Sequence, residues 1–181
     1  MSKLPNHLGG HIGVTNVDTT ILPYLVGKYG IKSMVDIGCG PGGMKSIAEA
    51  LNIFWTGVDG DFTLKNKADI IIHDFSVAKL KLDKHFDLVW SSEFLEHVDE
   101  KYIDNYMPLF ASARIVVATA ALPGTPGYHH VNCRDLDYWI KVFDRYDMIY
   151  DEQETQNLKK ISNMRKDFFR RHGFCFKKNN E

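Results

Sequence analysis

The run Val35-Asp-Ile-Gly38-Cys-Gly40-Pro-Gly42-Gly43 constrains this chain more than any other stretch. Four glycines fall within six residues, directly after the apolar segment Ser33–Ile37 and before the helical pattern that ends near Leu51. Glycine reaches backbone conformations closed to other residues and lets a ligand approach the main chain. A helix that starts from such a loop presents free amides to the same ligand. The spacing therefore predicts a strand, a glycine loop and a helix spanning Gly38 to Leu51. That unit belongs to layered α/β folds, whose ligands lie at the carboxyl ends of the strands.

The rest of the chain continues the alternation. Strands are expected at Ser33–Ile37, Phe54–Val58, Ile70–His73, Phe86–Trp90, Arg114–Ala118 and Met148–Tyr150, with a closing strand at Phe174–Phe176. Helices are expected at Asn16–Tyr29, ending on Gly30, at Asp99–Phe110 with Asp99 as N-cap, at Arg134–Tyr146 and at Glu152–Arg171. This order predicts a doubly wound, mostly parallel sheet between two helical layers, a three-layer sandwich. With 181 residues and no repeat or linker, one domain is expected. Its parts are an N-terminal segment and helix (1–30), a ligand-binding core (31–118), and a loop with C-terminal elements (119–181).

Composition narrows the function classes. An apolar fraction of 44% with 25% charged residues is ordinary for a soluble domain, and no apolar run is long enough for a membrane span. Cys39, Cys133 and Cys175 have no paired spacing, which together with the lack of an export pattern gives the expectation of a cytoplasmic protein. The net charge of −1 selects no partner. One local exception is the basic stretch from Lys159 to Lys178, either a solvated helix face or a contact for anionic ligands.

Asp36 decides which ligand the glycine loop suits. Gly38-x-Gly40-x-x-Gly43 also fits a dinucleotide fingerprint, but a carboxylate two residues ahead would repel a pyrophosphate and attract a cationic sulfonium amino acid. The pattern favours S-adenosylmethionine over NAD. Asp59 ends the second strand 19 residues after Gly40, where a carboxylate can bind ribose hydroxyls, with Asp61 as the alternative. Asp74 and the amide of Phe75, after the third strand, are placed to read an adenine edge, and a plain turn role for Asp74 stays open.

The segments DIGCGPGG, GVD, HDF and FDLVWSSEFLEHV, in this order and spacing, resemble motifs I to IV of class I S-adenosylmethionine-dependent methyltransferases. The resemblance is strong over residues 31–118. It implies a seven-stranded sheet with one antiparallel strand. It further implies that Asp36, Gly38 and Gly40 hold the methionine moiety, Asp59 the ribose and Asp74 the adenine, with Ser91 near the methionine end. The helices on which many relatives build a lid are short or missing here.

Acceptor chemistry rests on two clusters. Glu93, Glu96 and His97 are i, i+3 and i+4, so a helical turn would put them on one face. His129 and His130 lie with Asn132 in the Pro/Gly-containing loop after the fifth strand. Carboxylates and imidazoles of this kind suit Mg²⁺ or Mn²⁺, with Glu93, Glu96, His97 and His129 as ligands. Glu-x-x-Glu-His is similar to the metal motif of ubiquinone-pathway O-methyltransferases and of small-RNA 3′-end 2′-O-methyltransferases. A metal-free alternative has His97 or His130 as base with Glu96 orienting it, and a structural role is the third. Trp90, Tyr128 and Trp139 are candidate stacking surfaces, Trp90 more readily a core residue. His7 and His11 either fold over the site or belong to a flexible terminus. The leading expectation is O-methylation of a small hydroxylated molecule such as a sugar or glycan precursor. The alternative is 2′-O-methylation of RNA or methylation of DNA, with the basic segment touching phosphates.

Overall fold

The computed structural model describes residues 4–179. Among them seven strands form one sheet: β1 (Ser33–Ile37), β2 (Phe54–Asp59), β3 (Ile70–Ile72), β4 (Phe86–Ser91), β5 (Ala113–Thr119), β6 (Met148–Tyr150) and β7 (Gly173–Lys178). Their order is β3-β2-β1-β4-β5-β7-β6, and only β7 runs antiparallel to its neighbours. The direction of winding reverses between β1 and β4, which pair through Val35 and Val89. Such a reversal opens a crevice beyond the strand ends, where doubly wound folds bind ligands.

Alternation along the strands builds the two faces. Val35, Ile37, Val89, Val116, Ala118, Phe174 and Phe176 enter one core. There they meet α3 (Ile103–Phe110) and α4 (Leu136–Asp144) through Tyr106, Phe110, Trp139 and Phe143. Met34, Leu88, Trp90, Ile115, Val117 and Cys175 point the other way. They pack on α1 (Ile21–Tyr29), α2 (Lys45–Ala50), α5 (Glu152–Ile161) and α6 (Phe168–His172). Because residues i and i+2 share a face, each buried strand feeds both cores. No helix among the described residues is long and apolar enough to cross a membrane.

Several helices are shorter than their sequence pattern suggests, each for a local reason. α2 begins at Lys45, not Gly38, because Gly38, Gly40 and Gly42 have φ of 73°, 50° and 86°, outside the right-handed helix. The stretch expected to be one helix from Glu152 to Arg171 breaks after Ile161, and Lys166 and Asp167 are left-handed. α1 starts at Ile21, not Asn16, since Asp18 folds back to accept from the amides of Thr20 and Ile21 (both 2.9 Å). The other oxygen of Asp18 accepts from Ser162 Oγ at 2.6 Å and from the amides of Asn163 and Met164 at 3.1 Å. One buried carboxylate thus ties the N-terminal segment to the break between α5 and α6.

Candidate active site

Residues 38–44 leave β1 as a series of turns anchored on β2, with the Gly38 amide 2.8 Å from the Val58 carbonyl. Asp59 holds the loop from below: Oδ2 accepts from the Gly40 amide at 2.7 Å and Oδ1 from the Asp61 amide at 2.9 Å. A carboxylate has about four acceptor positions, so Asp59, which is partly exposed, keeps lone pairs for ribose hydroxyls. Asp61, the alternative, is buried and committed to Thr63 N and His11 Nε2. Asp36 is 2% exposed and accepts from Trp55 Nε1 at 3.3 Å. Burial, together with the charge of Asp59 and against that hydrogen bond, pushes its carboxyl up to about 7. The residue expected to face the methionine moiety is thus tied to β2 through Trp55, directly before the loop.

Two further expected cofactor contacts have structural work of their own. Ser91 is buried and donates to the Ile37 carbonyl at 2.9 Å, joining the ends of β1 and β4. Asp74 takes the turn role, accepting from Ser76 N at 2.8 Å, while its second oxygen meets His7 Nε2 at 2.8 Å. Phe75 is buried between Phe94 and Tyr106, and its carbonyl accepts from Asn105 Nδ2.

Past β4 the chain does not form the helical turn that would align residues 93, 96 and 97. Glu93 is left-handed (φ 56°), and a 3₁₀ turn covers only Leu95–His97. Thr119, at the end of β5, sets Glu93. Its Oγ1 accepts from the Glu93 amide at 2.8 Å and donates to Oε1 at 2.9 Å. Glu96 is fully buried, and neither carboxylate oxygen has a well-formed hydrogen bond, the amides of Glu96 and Ala121 being the nearest donors. Burial first, and the Glu93 charge second, raise its carboxyl well above the usual range; burial raises Glu93 as well. His97 is pushed down to about 4 by burial and by His130, leaving a neutral ring.

The loop after β5 reaches this turn because the amides of Val131 and Asn132 both donate to the Glu96 carbonyl, at 2.9 and 3.0 Å. That pairing delivers His130, not His129, to the cluster. Ligand atoms of Glu96, His97 and His130 lie within 4.8 Å of one another, and the two imidazoles stand edge to face at 5.0 Å. His129 is left-handed (φ 50°), and its ring lies toward His7 at 6.2 Å. The left-handed turn at His129 sends its ring toward His7 while that of His130 meets His97, so only one of the pair enters the cluster. Thr119 had no signal in the sequence, which ends the fifth strand at Ala118.

Gly127 makes room for the His130 ring, since a Cβ there would stand 2.1 Å from Nε2. Nδ1 is 3.0 Å from the Thr125 carbonyl. Gly127→Ala should therefore turn the ring out of the cluster and cut activity about 10–100-fold, the usual cost of a disturbed supporting shell, with the fold intact. Steady-state kinetics beside a thermal melt checks this. An unchanged kcat would mean that the His130 position is unimportant.

Of the candidate stacking surfaces, Trp90 and Trp139 are core residues, Trp90 stacked on Phe169. Tyr128 is half exposed above the site. The basic C-terminal stretch is partly committed inside the protein. Lys177 pairs with Asp151, Lys178 donates to the Ala111 carbonyl, and Arg170 bonds Asp167 and the Ser162 carbonyl.

Residues 35–116 match the family model described as a methyltransferase domain. No curated protein matches the chain. The sugar N-methyltransferase KedS8 from Streptoalloteichus superposes with a TM-score of 0.64 at 10% identity, over 88% of this chain and 85% of that one. The methyltransferase domain of bacterial CtHen1-C gives 0.60 at 15% identity, over 88% and 95%. Magnesium protoporphyrin IX methyltransferase from Synechocystis, solved with bound S-adenosylmethionine, gives 0.56 at 16% identity, over 73% and 67%. At these identities the likeness is one of fold, the class I methyltransferase fold. The matched segment runs from β1 through the glycine loop into β5.

Proposed function

We propose that this chain transfers a methyl group from S-adenosylmethionine to a hydroxyl of a small molecule with neighbouring hydroxyls, a sugar or glycan precursor. We further propose that a divalent cation is held by Glu96, His97 and His130, with Glu93 beside them. The observation that carries this reading is Glu96. Two buried carboxylate oxygens without well-formed hydrogen bonds are costly, and a cation among the two imidazoles would satisfy them. Mg²⁺ or Mn²⁺ fits a carboxylate–imidazole donor set and, when bound, lowers the pKa of a coordinated hydroxyl.

The chain's own residues do the rest. Thr119 keeps Glu93 turned toward Glu96, the backbone pairing of residues 131 and 132 holds His130 in place, and the neutral His97 ring has a lone pair to offer. The glycine loop and Asp59 fix the cofactor's position relative to this cluster, which is how an enzyme turns a bimolecular displacement into an oriented one. A ribose at an RNA 3′ end carries the same pair of hydroxyls. The small acceptor is favoured because three of the basic side chains that would meet phosphates are spent on internal partners.

Transfer of labelled methyl from the cofactor decides between them. The acceptors compared are methyl glycosides with and without a neighbouring diol, an oligoribonucleotide ending in a free diol, and an amino sugar. The expected result is turnover of the diol glycoside that EDTA abolishes and Mn²⁺ restores. Turnover confined to the oligoribonucleotide moves the acceptor to nucleic acid, and turnover confined to the amino sugar removes the O-methylation reading.

A further inference from the structure

Residues 4–15 cross the ends of β1, β2 and β3 and reach the acceptor cluster. They follow tight turns, with left-handed backbone at Gly9, Ile12 and Gly13, and with the amides of Leu8, Ile12 and Val14 donating three residues back. At one end Thr15 Oγ1 accepts from the Gly43 amide at 3.2 Å, seating the segment on the glycine loop. His11 then passes over Gly40, where a Cβ would stand 3.2 Å from its ring, and meets Asp61 Oδ2 at 2.9 Å. Its Nδ1 accepts from the Gly13 amide at 2.8 Å, so a neutral ring carries its proton on Nε2 and donates to Asp61. Leu8 fills the space left by Gly60, and His7 reaches Asp74 Oδ2 at 2.8 Å. Gly10 lies against Tyr128 and, at 4.0 Å from an added Cβ, the ring of His97. The segment therefore spans the ends of β1, β2 and β3 and also borders the acceptor cluster.

We propose that residues 4–15 are a lid over the cofactor cleft, latched by His7 on Asp74 and by His11 on Asp61, which closes over bound cofactor and must open for it to exchange. This rests on reading the cleft as the S-adenosylmethionine site. Two side-chain latches, a hydroxyl anchor and three glycine-dependent close approaches make the path a built one. The latch points lie beside the loop carboxylate Asp59, so lid closure and cofactor occupancy concern the same space. Closing also shuts water out from above His97, which favours displacement over competing hydrolysis.

The test is stopped-flow binding of S-adenosylhomocysteine to wild type and to His7→Ala/His11→Ala. Loss of both latches should speed association and dissociation together, dissociation by about tenfold or more, since each latch is a hydrogen bond to a charged group. The His7→Gln/His11→Gln variant, which keeps a donor at each point, should recover much of the difference. Hydrogen exchange gives the second readout: ligand should slow the amides of Leu8, Ile12 and Val14 in wild type and not in the alanine variant. Faster association with unchanged dissociation would make the segment a competing plug, and unchanged rates would make it a passive surface. Either result overturns the lid. Wild type that binds no S-adenosylhomocysteine while its lid amides are protected would fail the cofactor reading, and the lid with it.

Discussion

Glu96→Gln should lower kcat/KM by about a thousandfold or more while leaving S-adenosylhomocysteine binding close to wild type. Glutamine fills the same volume and leaves the backbone carbonyl that anchors Val131 and Asn132 untouched, so the loop and His130 stay in place. What disappears is the carboxyl group beside His97 and His130, the group that would become the cation's anionic ligand. Chelation of the wild type should give the same phenotype, and the two treatments together should be no worse than either alone. His129→Ala is the control. Its ring lies outside the cluster, and turnover should stay within about twofold. If Glu96→Gln works normally in EDTA while His97→Ala and His130→Ala are dead, the cation is ruled out. The neutral imidazoles would then take the hydroxyl proton directly.

Gly38→Ala should cost at least about a hundredfold in S-adenosylhomocysteine affinity, measured by calorimetry. Two independent penalties act at this position. Its φ of 73° is left-handed, which costs a side-chain-bearing residue about 1–2 kcal/mol. An added Cβ would also stand 2.8 Å from Phe94 Cβ and 2.9 Å from its ring, and overpacking of that kind costs about 1–3 kcal/mol. The loop can relieve both only by moving away from Val58 and from Asp59, which breaks the geometry that cradles the cofactor. Gly27→Ala is the matched comparison. It sits inside α1 with open space around it and no positive φ, so it should stabilise the fold by about 1 kcal/mol and leave affinity unchanged. Equal affinities for the two variants would mean that the loop does not bind the cofactor.

The strands were legible because each is a short apolar run bounded by turn residues. Ser33–Ile37 and Met148–Tyr150 match their expected limits, and the others differ by a residue or two. The glycine loop was legible because Gly38 and Gly40 serve a backbone need that depends on neighbours only a few residues away. Helix limits were less so. Periodicity from Asn16 or Glu152 continues past the points where Asp18 gathers donors from residues 20–21 and 162–164, 146 residues apart at their widest hydrogen bond. No local pattern records that meeting.

The same boundary runs through the candidate site. Residue types alone located it, since carboxylates and imidazoles after β4 and β5 must gather where a doubly wound sheet reverses direction, and Asp36-x-Gly38-x-Gly40 marked the cofactor. Which side chains converge was a tertiary decision. A helical turn would have aligned Glu93, Glu96 and His97, but the left-handed Glu93, pinned by Thr119 from another strand, replaced it. The pairing of the Glu96 carbonyl with residues 131 and 132 selected His130 over His129. Asp36 and Ser91 bond Trp55 and the Ile37 carbonyl across neighbouring strands, contacts that only the sheet order supplies. Sequence by itself determined the layers, the glycine loop and the kinds of chemistry present, all consequences of short-range periodicity and backbone sterics. Only tertiary structure decided which of two adjacent histidines faces the cluster and that residues 4–15 lie across the ends of β1, β2 and β3, because those outcomes depend on hydrogen bonds between segments far apart in the chain.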